Sequence, residues 1–347
     1  MPDSSLSFLI LIIALAVGFG VVNGFNDAAN AVAASIGSRA LSPRNALILA
    51  ACFNFAGAAT GTAVARTIGK GILAPGIISE FGYLPLVAGL GSIIIWGTIA
   101  TRYGVPISLT HGFVAGLAAA GVAVAGTGAV MWGVMQRILV SVATAPALGF
   151  AGGFALMVVL LWVFRHSAPA RMRVVFSRLQ WLTTAFLAYS HGLNDGQMPI
   201  GIITMALVIY YNDHSIWDRL SLLNPDMWWV IAVSAAAISL GTLVGGWRVI
   251  KTVGMKVTAL EPIHGFAANV SAAVVIWGAS HLGIPVSTTH CVSSAIMGVG
   301  ATKRLSAVRW GVARRIVVAW VITFPVCGGL GYLIAWLLLR FSNMPIG

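Results

Sequence analysis

GFNDAAN at residues 24–30 and SHGLNDGQ at residues 190–197 place an Asn-Asp pair twice within otherwise apolar sequence. A carboxylate at the centre of a membrane helix costs about 2.5 to 3.5 kcal/mol to insert. Two such carboxylates in matching surroundings, Asp27 and Asp195, are therefore typical of a functional site. The pattern predicts a site for a charged substrate or for a coupling ion.

The rest of the chain has the composition of a membrane protein. Of its 347 residues, 59% are hydrophobic and 8% are charged, too few polar side chains to cover a surface that faces water. Six apolar stretches are each near the ~20 residues that cross a bilayer. We predict an all-α polytopic membrane protein with about ten to twelve transmembrane helices, counting shorter or broken segments. The stretches are 6–22, 84–100, 147–164, 228–247, 263–280 and 316–339.

The net charge of +12 does not indicate a nucleic-acid-binding protein, because the basic residues are scattered between apolar segments and form no basic domain. The tendency of basic loops to stay in the cytoplasm explains them better. It places the segment with Asp213, Asp218 and Asp226 outside. The residues predicted to lie inside are Arg165, Arg171, Arg173, Arg178, Arg248, Lys251, Lys256, Lys303, Arg304, Arg309, Arg314 and Arg315.

The chain also carries two copies of one plan. After the Asn-Asp pairs, three further matches occur in the same order, and Pro146 and Pro325 close the two series. Four matches in register predict a duplication, with a first repeat over 1–164, a basic cytoplasmic linker over 165–180 and a second repeat over 181–347. The further matches are TAVARTIGKG (62–71) with GWRVIKTVGMK (246–256), GVPISLTHG (104–112) with GIPVSTTHC (283–291), and WGVMQR (132–137) with WGVARR (310–315).

Internal repeats in transporters often insert with opposite topology, and their binding site forms near the bilayer midplane from broken or re-entrant helices. We predict two inverted-topology repeats of this kind. Gly24 and Gly192, which precede the two Asn-Asp pairs, are the expected helix breaks, since glycine permits unusual backbone angles. Unwound backbone at this depth would have to be buried in protein or line a cavity.

Two hydroxyl-rich motifs, PISLTH at 106–111 and PVSTTH at 285–290, each precede a run of small residues. Proline favours the first helical turn, and Ser or Thr the N-cap, so each motif predicts the start of a half-helix. A helix start presents free N-H groups and a partial charge of roughly +0.5, so two facing starts would form an anion site. The alternative is that the hydroxyls only cap helices or link neighbouring helices.

An anion bound beside Asp27 or Asp195 would be repelled. Two like charges 4 Å apart repel by about 4 kcal/mol at an effective dielectric of 20, so a cation or a proton has to neutralise the carboxylate. Such a requirement would make anion and cation binding mutually dependent, as in symport. The oxygens suited to Na⁺ or to a shared proton are those of Asn26, Asp27, Asn30, Asn194, Asp195 and Gln197.

Three segments together, GFNDAANAVA (24–33), SHGLNDGQ (190–197) and PVSTTH (285–290), resemble the inorganic phosphate transporter family, the sodium- or proton-coupled phosphate permeases. The likeness spans most of the chain, and SHGLNDGQ is most similar to the bacterial low-affinity branch. The resemblance implies a homodimer in the inner membrane with re-entrant helical hairpins. It also implies coupling to H⁺ or Na⁺, with phosphate carried as a complex with a divalent metal in the low-affinity branch.

The resemblance also implies residue roles. The coupling cation would be held with the help of Asn26, Asn30, Asn194 and Gln197, and the phosphate site would comprise Asp27, Ser108, Thr110, Asp195, Ser287, Thr288 and Thr289. Two positions depart from the family pattern. Leu109 stands where a second hydroxyl is common, and Asn269 stands where many sodium-coupled members have an acid, which argues against sodium.

We therefore predict a cation-coupled inorganic phosphate symporter that works by alternating access, without a cofactor. A permease for another oxyanion, such as sulfate, is the alternative, and a passive anion channel is a weaker one. Carboxylates favour phosphate, since they accept hydrogen bonds from its protonated form and sulfate offers none. An enzyme is not predicted, because HExxH, GxSxG and P-loop patterns do not occur.

Overall fold

The computed structural model of the protein describes residues 6–341 and is helical throughout, which confirms the all-α prediction. The first seven helices are α1 (Leu6–Gly37), α2 (Pro43–Ala59), α3 (Ala63–Gly71), α4 (Pro75–Phe81), α5 (Leu84–Tyr103), α6 (Leu109–Ala125) and α7 (Trp132–Val163). The other eight are α8 (Pro169–Asp195), α9 (Gln197–Tyr211), α10 (Ile216–Arg219), α11 (Trp228–Val244), α12 (Trp247–Lys251), α13 (Pro262–His281), α14 (Thr288–Ala301) and α15 (Trp310–Phe341).

Within the described residues, five helices are long and apolar enough to cross a membrane, namely α1, α5, α7, α13 and α15. Two bent pairs raise this number to seven if each pair forms one span. The pairs are α2 with α3, bent by 65°, and α11 with α12 and the π-turn that follows it, bent by 62°. Bent helices are thus present, but not at the glycines where the breaks are predicted, and the prediction of ten to twelve spans depends on the shorter and more polar helices.

Helices of similar length recur in the same order in the two parts of the chain. α5 and α13 each have 20 residues, while α7 and α15 each have 32 and contain Pro146 and Pro325. Each part also has one bent pair and one short helix that begins at a hydroxyl motif. Residues 169–180, which we predicted as linker, form the first turns of α8.

The two parts are not separate bodies, because their helices pack across the sequence. α7 lies against α14, and α15 lies against α6. In the same way, α1 packs on α11 and α2 packs on α8. These cross-contacts surround the middle of α1 and the end of α8, where the two Asn-Asp pairs are located.

The prediction that Gly24 and Gly192 break their helices is wrong, since both lie inside continuous helices, α1 and α8. Their role is close packing. A Cβ on Gly24 would collide with the backbone of Ile238 on α11, and one on Gly192 would collide with the backbone of Asn54 on α2. Small residues let membrane helices approach closely, so these glycines bring α11 and α2 against the helices that carry Asp27 and Asp195.

Charged side chains outside the apolar helices form ion pairs. Lys303 binds Glu261 just before α13, with Nζ 3.1 Å from Oε1, and this bond holds the pKa of Glu261 below its usual value. Asp213 binds Arg219 in the acidic segment after α9, and hydrogen bonds from Ser215 lower the pKa of Asp213. Asp218 of the same acidic segment lies 3.6 Å from Arg66 of α3, so these ion pairs also join segments that are distant in the sequence.

Candidate functional site

The two hydroxyl motifs begin helices, as predicted. Ser108 caps α6 by accepting a hydrogen bond from the His111 N-H at 3.3 Å, and Ser287 caps α14 by accepting one from the His290 N-H at 3.2 Å. The rings of His111 and His290 lie edge to face with their centroids 5.2 Å apart. The starts of α6 and α14 therefore face each other deep inside the protein.

Asp195, the last residue of α8, lies between these two helix starts and is fully buried. Thr110 of α6 donates to Oδ1 at 3.1 Å, and Thr288 of α14 donates to Oδ2 at 2.9 Å. The Asn194 side chain adds a third donor at 2.6 Å. Buried carboxylates require such partners, because an unpaired charge in a dry interior is costly.

Asp27 reaches the same location from the middle of α1. It accepts a hydrogen bond from Thr289 at 3.2 Å, and the same hydroxyl also lies 2.9 Å from the Ile107 carbonyl oxygen. Asn30, almost one turn further along α1, donates to Thr288 at 3.1 Å and to Thr289 at 2.9 Å. Side chains from α1, α8, α6 and α14 thus converge on one buried cluster.

His191 completes this cluster and was not among the predicted site residues. Its Nε2 lies 3.0 Å from Asp195 and 3.9 Å from Asp27. The signal was present in the sequence, because His191 precedes Asp195 by four residues and such residues share a helix face. One ligand atom each from Asp27, His191 and Asp195 lies within 4.8 Å of the others, a geometry that can hold a cation or a proton.

Two predicted residues have other contacts. Asn26 turns away from the carboxylates and donates to Thr101 of α5 at 2.6 Å. Gln197 accepts hydrogen bonds from the Val64 and Ala65 N-H groups at 2.8 and 3.1 Å. Because no side chain of the preceding turn caps α3, Gln197 serves as its cap. Its predicted cation role has no support from these contacts.

Asn194 has two functions in this geometry. Besides Asp195, its amide binds both the carbonyl and the N-H of Val286, at 2.8 and 3.3 Å. This amide therefore fixes the loop that leads into α14. Asn269, the second departure from the family pattern, lies apart from these contacts and donates to Ser35 at 3.1 Å and to Thr184 at 3.3 Å.

With this geometry in place, comparison with known proteins identifies the family. A model described as the phosphate transporter family matches residues 23–331, a range that contains every residue of the cluster. The chain belongs to this family. A probable low-affinity inorganic phosphate transporter of Bacillus subtilis (strain 168) is 41% identical over 329 residues, which cover 95% of the chain and 96% of that protein.

Other similar proteins are also described as phosphate transporters. A probable low-affinity inorganic phosphate transporter of Rhizobium meliloti (strain 1021) is 38% identical over 93% of the chain and 95% of that protein. A solved structure, described as the sodium-dependent phosphate transporter, superposes with a TM-score of 0.85 at 25% identity, covering 96% of the chain and 100% of that structure. This member of the phosphate transporter family is thus a multi-pass membrane transporter of phosphate and not an enzyme.

Proposed function

We propose that this transporter is a cation-coupled inorganic phosphate symporter, which moves phosphate into the cell by alternating exposure of the buried cluster. One observation carries the proposal. The hydroxyls of Thr110 and Thr288, from the two facing helix starts, donate to Asp195 at 3.1 and 2.9 Å, and the Thr289 hydroxyl is shared between Asp27 at 3.2 Å and the Ile107 carbonyl at 2.9 Å. A phosphate bound at the helix starts would therefore compete with these carboxylates for the same hydroxyl donors.

This competition supplies the coupling. A threonine hydroxyl has one hydrogen, so a hydroxyl that donates to a charged carboxylate cannot donate to phosphate at the same time. Neutralising the carboxylate with a cation or a proton weakens this bond and frees the donor. It also removes a like-charge repulsion of about 4 kcal/mol at 4 Å in an effective dielectric of 20. Phosphate and the cation therefore favour each other's binding.

The proposed roles divide along this mechanism. Asp27 and Asp195 belong to both sites, since their oxygens would hold the cation and would accept hydrogen bonds from protonated phosphate. Asn30 and Asn194 lie within the cluster and support the cation site, whereas Asn26 and Gln197 could contribute only after leaving their present partners. The proposed phosphate donors are Ser108, Thr110, Ser287, Thr288 and Thr289.

The coupling ion is H⁺ or Na⁺, and different observations support each. The solved relative is described as sodium-dependent. On the other hand, the contact of His191 with Asp195 supports a proton shared inside the cluster. Uptake into proteoliposomes with Na⁺ and pH gradients imposed separately tests the proposal. If neither the Na⁺ gradient nor the pH gradient drives phosphate uptake, symport is overturned. Adding or omitting Mg²⁺ would show whether phosphate is carried with a divalent metal.

We further propose the arrangement in the membrane. The two repeats would have opposite topology, with the basic segment 165–180 in the cytoplasm of a homodimer in the cell (inner) membrane. The recurring helix order supports the repeat, and the basic loops support the orientation. Cysteines are introduced one at a time at Arg171 and at Asp226, and each variant is labelled from either side of the membrane. The two cysteines should be modified from opposite sides.

A further inference from the structure

Asn23 lies one helical turn before Asp27 on α1, is completely buried and has no place in the mechanism above. Within the described residues 6–341, neither its amide nitrogen nor its amide oxygen has a hydrogen-bond partner. Leaving a buried polar group unpaired destabilises a protein. Most buried polar side-chain atoms are paired, so an amide with both ends free at membrane depth requires an explanation.

The packing of α1 places Asn23 beside the start of α6. On one side of it, Phe19 contacts Phe113 of α6, with ring centroids 5.6 Å apart. On the other side, Asp27 shares the Thr289 hydroxyl with the Ile107 carbonyl, which precedes α6. Phe19, Asn23 and Asp27 follow one another at intervals of four residues and so share one face of α1.

The start of α6 has one hydroxyl donor fewer than the start of α14. Aligning PISLTH (106–111) with PVSTTH (285–290) sets Leu109 against Thr288, so α6 presents one hydroxyl where α14 presents two. A Cβ on Gly97 would contact both Val22 and Leu109, which shows that Val22, the neighbour of Asn23, is level with Leu109. Asn23 is therefore next in sequence to a residue whose side chain lies beside Leu109, the position where α6 has no hydroxyl.

We propose that Asn23 is a further residue of the phosphate site and that it contacts the bound oxyanion on the α6 side. Its NH₂ group donates to a phosphate oxygen, and its Oδ1 accepts the hydrogen of a protonated phosphate. An amide serves this position well because it adds no charge beside Asp27. The inference depends on the proposed phosphate site, which it extends by one turn of α1 toward the N-terminal end of that helix.

The test compares Asn23→Leu with a control, Ser239→Ala, by measuring the Kd of radiolabelled inorganic phosphate and the ligand-free melting temperature of the purified protein. Ser239 of α11 is also buried and unpartnered but is not part of the cluster. We expect Asn23→Leu to raise the Kd by about tenfold or more, as for a lost hydrogen bond to a charged ligand. Its ligand-free melting temperature should stay equal or rise, and the control should leave the Kd unchanged.

A Kd within twofold of the wild-type value in Asn23→Leu would overturn the inference, as would a loss of affinity matched by Ser239→Ala. If the leucine variant does not fold, Asn23→Ala and Asn23→Asp replace it. The aspartate should abolish binding by repelling the anion, and wild-type affinity in either variant would again overturn the inference. Wild-type protein that binds no phosphate would instead contradict the proposed function, so the two failures are distinguishable.

Discussion

Nε2 of His191 lies 3.0 Å from Oδ2 of Asp195, one helical turn further along α8. The other ring nitrogen, Nδ1, lies 3.0 Å from Oδ1 of Asn54, whose amide nitrogen donates to Thr242 at 2.8 Å. Because Asn54 uses its NH₂ group on Thr242, its oxygen accepts and Nδ1 carries the hydrogen. Nε2, on the other side of the ring, faces the carboxylates and can share a proton with Asp195, and the ring links α2 to the site.

Replacing His191 should impair transport. His191→Leu removes the ring nitrogen that lies 3.0 Å from Asp195 and with it the group that can share a proton there. We expect initial phosphate uptake in proteoliposomes to fall by about tenfold or more, as for the loss of an interaction with a charged group. His191→Gln keeps a donor and should retain more activity than the leucine variant. Equal uptake by the leucine variant and the wild type would show that the imidazole has no role in the cycle.

Removing either carboxylate charge should abolish coupling. Asp27→Asn and Asp195→Asn keep the side-chain shape, so the protein should still reach the membrane. They remove the charge whose neutralisation links cation to phosphate, and gradient-driven uptake should disappear in both. Surface labelling of the expressed protein controls for insertion. Near-normal uptake by both variants would refute the assignment of these residues to the site.

Comparing two serines that cap helices distinguishes an effect on phosphate binding from an effect on helix stability. Ser287 caps α14 inside the cluster, and Ser42 caps α2 at an exposed turn. Each alanine variant should lose about 0.5 to 2 kcal/mol of stability from the missing cap. Only Ser287→Ala should also weaken phosphate binding, as measured by equilibrium binding of labelled phosphate. Equal affinities in the two variants would mean that Ser287 only caps its helix.

The close contact of α8 with α2 can be tested at Gly192. In Gly192→Ala the new Cβ would collide with the backbone of Asn54, and we expect a loss of about 1 to 3 kcal/mol from overpacking. Gly278 of α13 has no atom within 4 Å of a built Cβ. Gly278→Ala should therefore be neutral or stabilising, as expected for glycine in a helix. Thermal unfolding of both variants in detergent provides the comparison.

Selectivity for phosphate follows from the same carboxylates. Asp27 and Asp195 can accept hydrogen bonds from a protonated oxyanion, and sulfate at neutral pH has no proton to donate. Uptake of labelled phosphate should therefore be inhibited strongly by arsenate, which is protonated like phosphate, and weakly by sulfate. Inhibition by sulfate at the same concentration as arsenate would show that the carboxylates do not select between the anions.

Much of the architecture could be predicted because membrane burial constrains sequence strongly. Five of the six apolar stretches lie inside the long helices to within one residue, and the sixth, 228–247, covers α11 and the bend before α12. The hydroxyl motifs begin α6 and α14. The meeting of Asp195 with Thr110 and Thr288 follows from pairing like motifs of a duplicated chain, although no local pattern fixes the distances. These predictions used the hydropathy of segments and the chemistry of helix starts, which depend little on distant residues.

The roles of several individual residues could not be predicted, because they depend on contacts between residues that are distant in the sequence. The sequence predicts helix breaks at Gly24 and Gly192 because a flexible glycine and a glycine needed for close packing cannot be distinguished in sequence. Only the neighbouring helices show that the small size of these residues matters. The sequence does not show that Gln197 caps α3, because the N-H groups that it binds lie over 130 residues earlier in the chain. His191 has a signal in the sequence, four residues before Asp195, but its approach to Asp27 exists only when α1 and α8 meet.

The cross-packing of α6 on α15 and of α7 on α14 has a consequence for how the protein is made. α6 leaves the ribosome nearly two hundred residues before the helix that covers it, and α7 precedes its own partner by more than a hundred. The first seven helices therefore enter the bilayer with surfaces that only later helices can cover. Assembly of the native protein must follow translation of the last helix, and chains that end before α15 should be recognised as incomplete and degraded.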